Sequence, residues 1–193
     1  MLAHARRRFK ANRWLPVAFL LPLALAACST LQPEAPGLQV ELAPAVNGYL
    51  SMFLVEPVHG GKVFCASETL GVERTGNAIK AGVWALCEEL YPEQGALQQG
   101  AGYSGPLMVY LLSNKERYLP SSGDQYVATG MARPRDGSLM AGDIQRMFTA
   151  ETIERMCLDE AACARARFER LGAELAAQAQ SELGLPLATA APN

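Results

Sequence analysis

Histidine is nearly missing from this 193-residue chain, which has only His4 and His59. No C-x-x-C occurs among its five cysteines. The usual Cys and His zinc patterns therefore cannot be assembled, and no metal or cofactor is expected. An apolar run long enough to span a bilayer is missing too. Residues 14–27, WLPVAFLLPLALAA, carry no charge but include two prolines. At ~1.5 Å per residue a helix of that length falls short of a ~30 Å hydrocarbon core. Basic charge is scarce beyond the start of the chain. Arg6, Arg7, Arg8, Lys10 and Arg13 lie within the first thirteen residues, and without them the net charge falls from −2 to −7. Such a surface gives no support to nucleic-acid binding, which needs clustered Lys and Arg.

What is present begins with an address. A basic segment, a short apolar run and small residues at its end describe a secretory signal peptide over residues 1–27. Leu25-Ala26-Ala27-Cys28 resembles the lipobox of bacterial lipoproteins. The resemblance implies cleavage after Ala27, a diacylglyceryl thioether on Cys28 and an acylated (palmitate-type) N-terminus that holds the protein to a membrane. Two or three acyl chains anchor stably where one does so marginally. By the lipoprotein sorting rule, Ser29 implies passage to the outer membrane, facing the periplasm. The stretch ARRRFK is also similar to a twin-arginine export signal, which leaves the export route open between two systems.

Four cysteines follow Cys28, and an even count in an exported chain suggests two disulfides. Cys65 and Cys87 each lie eleven residues from Gly76, so a hairpin centred there sets them directly opposite each other. The remaining pair is Cys157 and Cys163. On one continuous helix they would point about 240° apart, so bonding requires a break near Leu158-Asp159-Glu160, with Asp159 as the cap of a new helix.

Residues 28–39, rich in proline and small side chains, read as a tether. A single domain is expected over 40–184, followed by a flexible tail over 185–193. Helical spacing of Val46, Leu50, Phe53 and Leu54 predicts a helix over about 42–55. The hairpin follows, with Phe64, Leu70, Val72, Trp84 and Leu86 on the core face, opposite the face bearing Cys87. GPLMVYLLSN supplies a third strand and DQYVATGMA a fourth, with EQGALQQGAG and RYLPSSG as connections and ARPRDGSLMAGD as a loop. A helix is expected from Asp143, as N-cap, through Met156. Another spans about 161–183, with Phe168, Leu171 and Leu175 facing inward and Gly184 and Pro186 as stop signals. The order indicates an α+β fold, an antiparallel meander of about four strands with N- and C-terminal helices packed on one face. The succession VFCA, WALCEELY, GAGYSGPL, PRDGS and DIQRMF over residues 63–148 resembles small exported bacterial domains of uncharacterised function, and implies no activity.

The candidates for chemistry are few. Glu88 shares a strand face with Trp84 and Leu86, and Glu68 lies across from Trp84, so two acids on one face offer a glycosidase-like pair. Ser104 in GAGYSGP lacks the G-x-S-x-G pattern of a nucleophile elbow, and its base would have to be His59. Each of these four residues has a plain structural alternative in a turn, a loop or a solvated sheet margin. No set of catalytic residues is convincing. The composition therefore favours a non-enzymatic, membrane-anchored module that binds another envelope protein. The alternatives are a carrier of a small apolar ligand, which requires a cavity between sheet and helices, and a hydrolase of envelope polymers.

Overall fold

The computed structural model describes residues 36–114 and 125–188. The expected signal peptide, Cys28, Ser29 and the connection RYLPSSG lie outside them. The first helix, α1 (Pro36–Phe53), begins earlier than its apolar spacing suggested and takes in the end of the stretch expected as tether. Leu42, Val46 and Leu50 recur every four residues along it and are fully buried. No helix among the described residues is long and apolar enough to cross a membrane.

Four strands follow in an antiparallel meander: β1 (Lys62–Thr75), β2 (Ala78–Glu93), β3 (Ala96–Ser113) and β4 (Tyr126–Ala132). The α+β class expected from the order of elements is thus present. Gly76, at φ 62°, supplies the left-handed turn residue of the first hairpin. Cys65 stands opposite Cys87 and Glu68 opposite Trp84, the register that symmetry about Gly76 anticipates. The Cys65–Cys87 disulfide is formed, with Cα atoms 4.1 Å apart. A bulge between Thr69 and Gly71 then shifts the pairing, so Val72 falls opposite Ala81 and packs with the α1 side instead of the Trp84 side. EQGALQQGAG is not a connection: only Gln94 and Gly95 turn, and β3 starts at Ala96.

After β4 come a 3-10 turn (Gly137–Leu139) and three helices, α2 (Met140–Met147), α3 (Ala150–Arg155) and α4 (Ala161–Leu183). Asp143 lies inside α2 and caps nothing. It accepts from the Arg135 backbone and guanidinium and from Arg146, which hold its carboxyl well below the usual carboxylate range. Thr149 breaks the expected long helix and caps α3, accepting from the Thr152 N–H. The turn after α3 separates it from α4 and allows the Cys157–Cys163 disulfide, although the cap residue is Glu160 rather than Asp159. Gly184, left-handed at φ 68°, ends α4. Residues 185–188, expected as the start of a loose tail, instead pair with Leu97 through two backbone hydrogen bonds of 2.8 and 2.9 Å.

The helices do not share one face of the sheet. Helix α1 packs on the face of Cys65, Val83, Cys87 and Leu107. Leu171, Leu175 and Ala179 of α4 cover Phe64, Ala66, Leu86 and Leu90 on the other. Helices α2 and α3 extend that second layer over Leu70 and Met108. Both faces of β2 are therefore buried, and each buried aliphatic side chain contributes ~1.5–3 kcal/mol by leaving water. Phe168 is turned outward, more than half exposed. The inward row is Arg167, Leu171, Leu175 and Ala179, spaced by four, and begins with a charge.

Candidate functional site

Because the meander runs in order, β1 is an edge strand. With α1 on one face and α4 on the other, the two helices form walls along that edge. Between them lies a cleft of about 740 Å³. Its floor is β1 from Val63 to Thr69. Small residues make the α1 wall, among them Ala43, Asn47, Gly48 and Ser51. The α4 wall presents Arg170, Glu174, Gln178 and Glu182.

Polar contacts hold the walls to the floor. The Ser67 hydroxyl donates to Asn47 Oδ1. Lys62 pairs with Glu182 at one end of the cleft. At the other, Glu68 accepts from Arg167 Nε at 2.9 Å and from Arg170. Arg167 is almost fully buried, its guanidinium 5.0 Å from the centroid of the Trp84 ring. It also donates to the carbonyl oxygens of Arg155 and Met156, both at 2.7 Å. One side chain thus satisfies the exposed carbonyls at the end of α3 and ties them to β1.

The other candidate residues stand apart. Glu88 pairs with Phe64 and Glu68 with Trp84, four residues away along the ladder. At ~3.3 Å per residue that separates them by ~13 Å, beyond the spacing of a glycosidase pair. Glu88 is half-buried, which raises its pKa, while Gln99 Nε2 donates to it at 2.9 Å and lowers it. Ser104 is exposed on β3 opposite Leu86, on the α4 side of the sheet. The His59 ring stacks on Tyr91, 4.5 Å between centroids, and strand alternation places Tyr91 on the opposite side with Cys87 and Glu89. The register thus separates Ser104 and His59 across the sheet.

Glu89 is the buried acid that sequence reasoning passed over. Its side chain is fully enclosed, which by itself would raise its pKa, but four backbone N–H groups aim at it. Val58 and Ala101 donate to Oε2 at 2.8 and 3.2 Å, and His59 and Gly61 donate to Oε1 at 2.7 and 2.9 Å. Together they hold its pKa at about 2. The carboxylate needs a backbone without side chains nearby: a Cβ on Gly100 would sit 2.5 Å from Oε2. The only trace in the sequence is an acid inside an apolar strand beside two glycine-containing segments, HGG and QQGAG. All its lone pairs face donors of its own chain, so it organises the loop over 57–61.

Near the α3–α4 junction, ligand-type atoms of Cys157, Glu160 and Cys163 lie within 4.8 Å of one another, but the two sulfurs are bonded to each other and are not thiolate donors. The cleft along β1 is roomier than a second hollow of about 400 Å³ lined by Glu73, Lys80, Tyr110 and Phe148, and it is walled by two helices. Comparison with known proteins returned no match to a family model, a curated protein or a solved structure.

Proposed function

We propose that this chain is an exported lipoprotein of a bacterial cell envelope. Lipid on Cys28 anchors it, at the outer membrane facing the periplasm, and its folded domain is a non-enzymatic module that binds another envelope protein. The signal sequence and the Leu25–Cys28 lipobox support the address. The cleft beside β1 is the observation that carries the binding reading. It is large enough for a ligand, and its lining is as much polar as apolar, which suits a polypeptide better than a small apolar molecule. The acids and the Ser and His that would serve hydrolysis are held apart, and Glu68 is committed to two arginines.

Two measurements test this. Cells fed radiolabelled palmitate should label the wild-type chain and not Cys28→Ala; equal labelling of both, or of neither, overturns the anchor. Photo-crosslinking residues placed at Asn47, Ser51 and Gln178 should yield a reproducible protein adduct in living cells, whereas probes at Tyr110 and Val127, exposed on the far strands, should not. An absence of adducts at all three cleft positions overturns the binding reading.

A further inference from the structure

The mode of binding follows from which way the backbone of β1 points, and rests on the reading above. In an antiparallel pair, opposed residues alternate between pairs that exchange hydrogen bonds, with Cα atoms ~5.5 Å apart, and pairs that do not, at ~4.5 Å. Cys65 and Cys87 are 4.1 Å apart, so theirs is a non-bonded pair. Carbonyl directions on β2 agree. The Leu90 oxygen lies 2.6 Å from where a Cβ of Gly61 would be, so it points toward β1, and the Cys87 oxygen lies 3.2 Å from the same place on Gly102, so it points toward β3. Cys65 therefore turns its own N–H and C=O away from β2, and by alternation Val63, Ser67 and Thr69 do the same.

These outward groups face the cleft. None of them takes part in a hydrogen bond outside the β1–β2 ladder among the described residues. Yet Val63, Cys65 and Thr69 are only 6, 2 and 6 % exposed, so the helices shield them from bulk water. Backbone donors and acceptors in that position are costly to leave unmet. The stretch has defined ends. Beyond Thr69 the Leu70 carbonyl is taken by Arg155 at 2.8 Å, and before Val63 the Lys62–Glu182 pair closes the groove. About seven residues, ~23 Å, remain open.

The geometry points to strand addition: an extended segment of a partner protein lies along residues 63–69 of β1 as a fifth strand of the sheet, between α1 and α4. Alternation in that segment sends every second side chain toward each wall. On the α1 side the place of a Gly48 Cβ has nothing within 4 Å, which leaves room for bulky apolar side chains. On the α4 side Glu68, Glu174 and Glu182 are matched by Arg167, Arg170 and Lys62, so that wall is polar without net charge and suits amide or hydroxyl side chains. The partner segment thus alternates apolar with uncharged polar residues.

The test uses the full chain in detergent and fluorescein-labelled decapeptides alternating Val, Ile or Phe with Gln or Ser, beside a set of the same composition in which the alternation is broken. Anisotropy should show binding of the alternating set, with the broken set at least about tenfold weaker. N-methylation along a binding peptide should abolish binding at every second position and be tolerated between. On the protein, Ser67→Pro removes an outward N–H without touching the ladder to β2, and proline is tolerated on edge strands. Ser67→Ala keeps that N–H and loses only the contact with Asn47. The proline variant should bind at least about tenfold more weakly than the alanine variant. The N-methyl series needs no variant protein, so it decides the matter even if Ser67→Pro unfolds. Uniform tolerance of N-methylation, or no decapeptide binding below about 1 mM, overturns strand addition. Cleft adducts in cells alongside either result would leave the binding module standing and dismiss only this mode.

Discussion

Replacing Arg167 with methionine removes a buried charge of similar length and volume, and the structure fixes what is lost. Three hydrogen bonds go: to Glu68 at 2.9 Å and to the carbonyls of Met156 and Arg155 at 2.7 Å. The stack on Trp84 changes from a cation over a ring to a thioether over a ring. Glu68 keeps Arg170, so it is not stranded, but the carbonyls at the end of α3 lose the donor they share. Breaking a buried charged contact by removing one partner costs about 3–5 kcal/mol. With a urea slope of about 2 kcal/mol/M, the unfolding midpoint should fall by about 2 M with both disulfides intact. Lysine at this position reaches one acceptor instead of three and should fall between wild type and methionine. Glu68→Gln alone should cost less, because Glu68 is partly exposed and shares its other partner with solvent. A loss below about 1 kcal/mol for Arg167→Met would refute the view that this residue joins α3, α4 and β1.

Other outcomes follow from the same structure. Glu89 has its folded pKa depressed to about 2 from an ordinary value of 4.5. The stability it confers is therefore complete above about pH 4.5 and drains away as pH falls toward 2. Glu89→Gln should be less stable at neutral pH and flatten the acid limb of a plot of Tm against pH; an unchanged slope would show that Glu89 does not control it. Gly100→Ala should lower Tm sharply, because its Cβ meets Glu89 Oε2 at 2.5 Å, whereas Gly48→Ala, helical and with open space around it, should hold or raise Tm; equal effects of the two would contradict the packing around Glu89. Removing Cys65–Cys87, 22 residues apart, should cost about 3 kcal/mol, and removing Cys157–Cys163, six apart, about 2. Urea unfolding of the two double-alanine variants gives the order, and the reverse order would mean that chain entropy does not govern these bonds.

Where a property depends on neighbours in the chain, it was legible before the structure. The register of the first hairpin followed from two cysteines equidistant from Gly76, because side chains alternate with a period of two and a turn glycine marks the centre. The end of α4 followed from Gly184, whose left-handed backbone suits a glycine. The break between Cys157 and Cys163 followed from helical geometry alone. What depends on a distant partner was not legible. Strand β2 carries Ala and Val on one side and Trp and Leu on the other, so its pattern did not say that both sides are covered, and the helices were expected on one face. The first half of β3 looked like a linker because glycine and glutamine have low strand propensity, but the ladder to β2 overrides that preference.

The polar residues divide along the same line. Phe168 was expected inside because it is apolar and shares helical spacing with Leu171 and Leu175; Arg167 takes the inward place because carbonyls from α3 and a carboxylate from β1 converge where it points. Glu89 was one of two adjacent acids until the loop over 57–61 and β3 brought four N–H groups to it. The cleft itself has no sequence signal. It exists because β1 is left at the edge of the sheet while α1 and α4, from opposite ends of the chain, overhang it on either side. By itself the sequence determined local conformation and the pairing of the cysteines, since both rest on periodicity and short-range spacing. Only the tertiary structure decided which polar groups are satisfied and which strand edge stays open, because hydrogen bonding and burial depend on segments far apart in the chain.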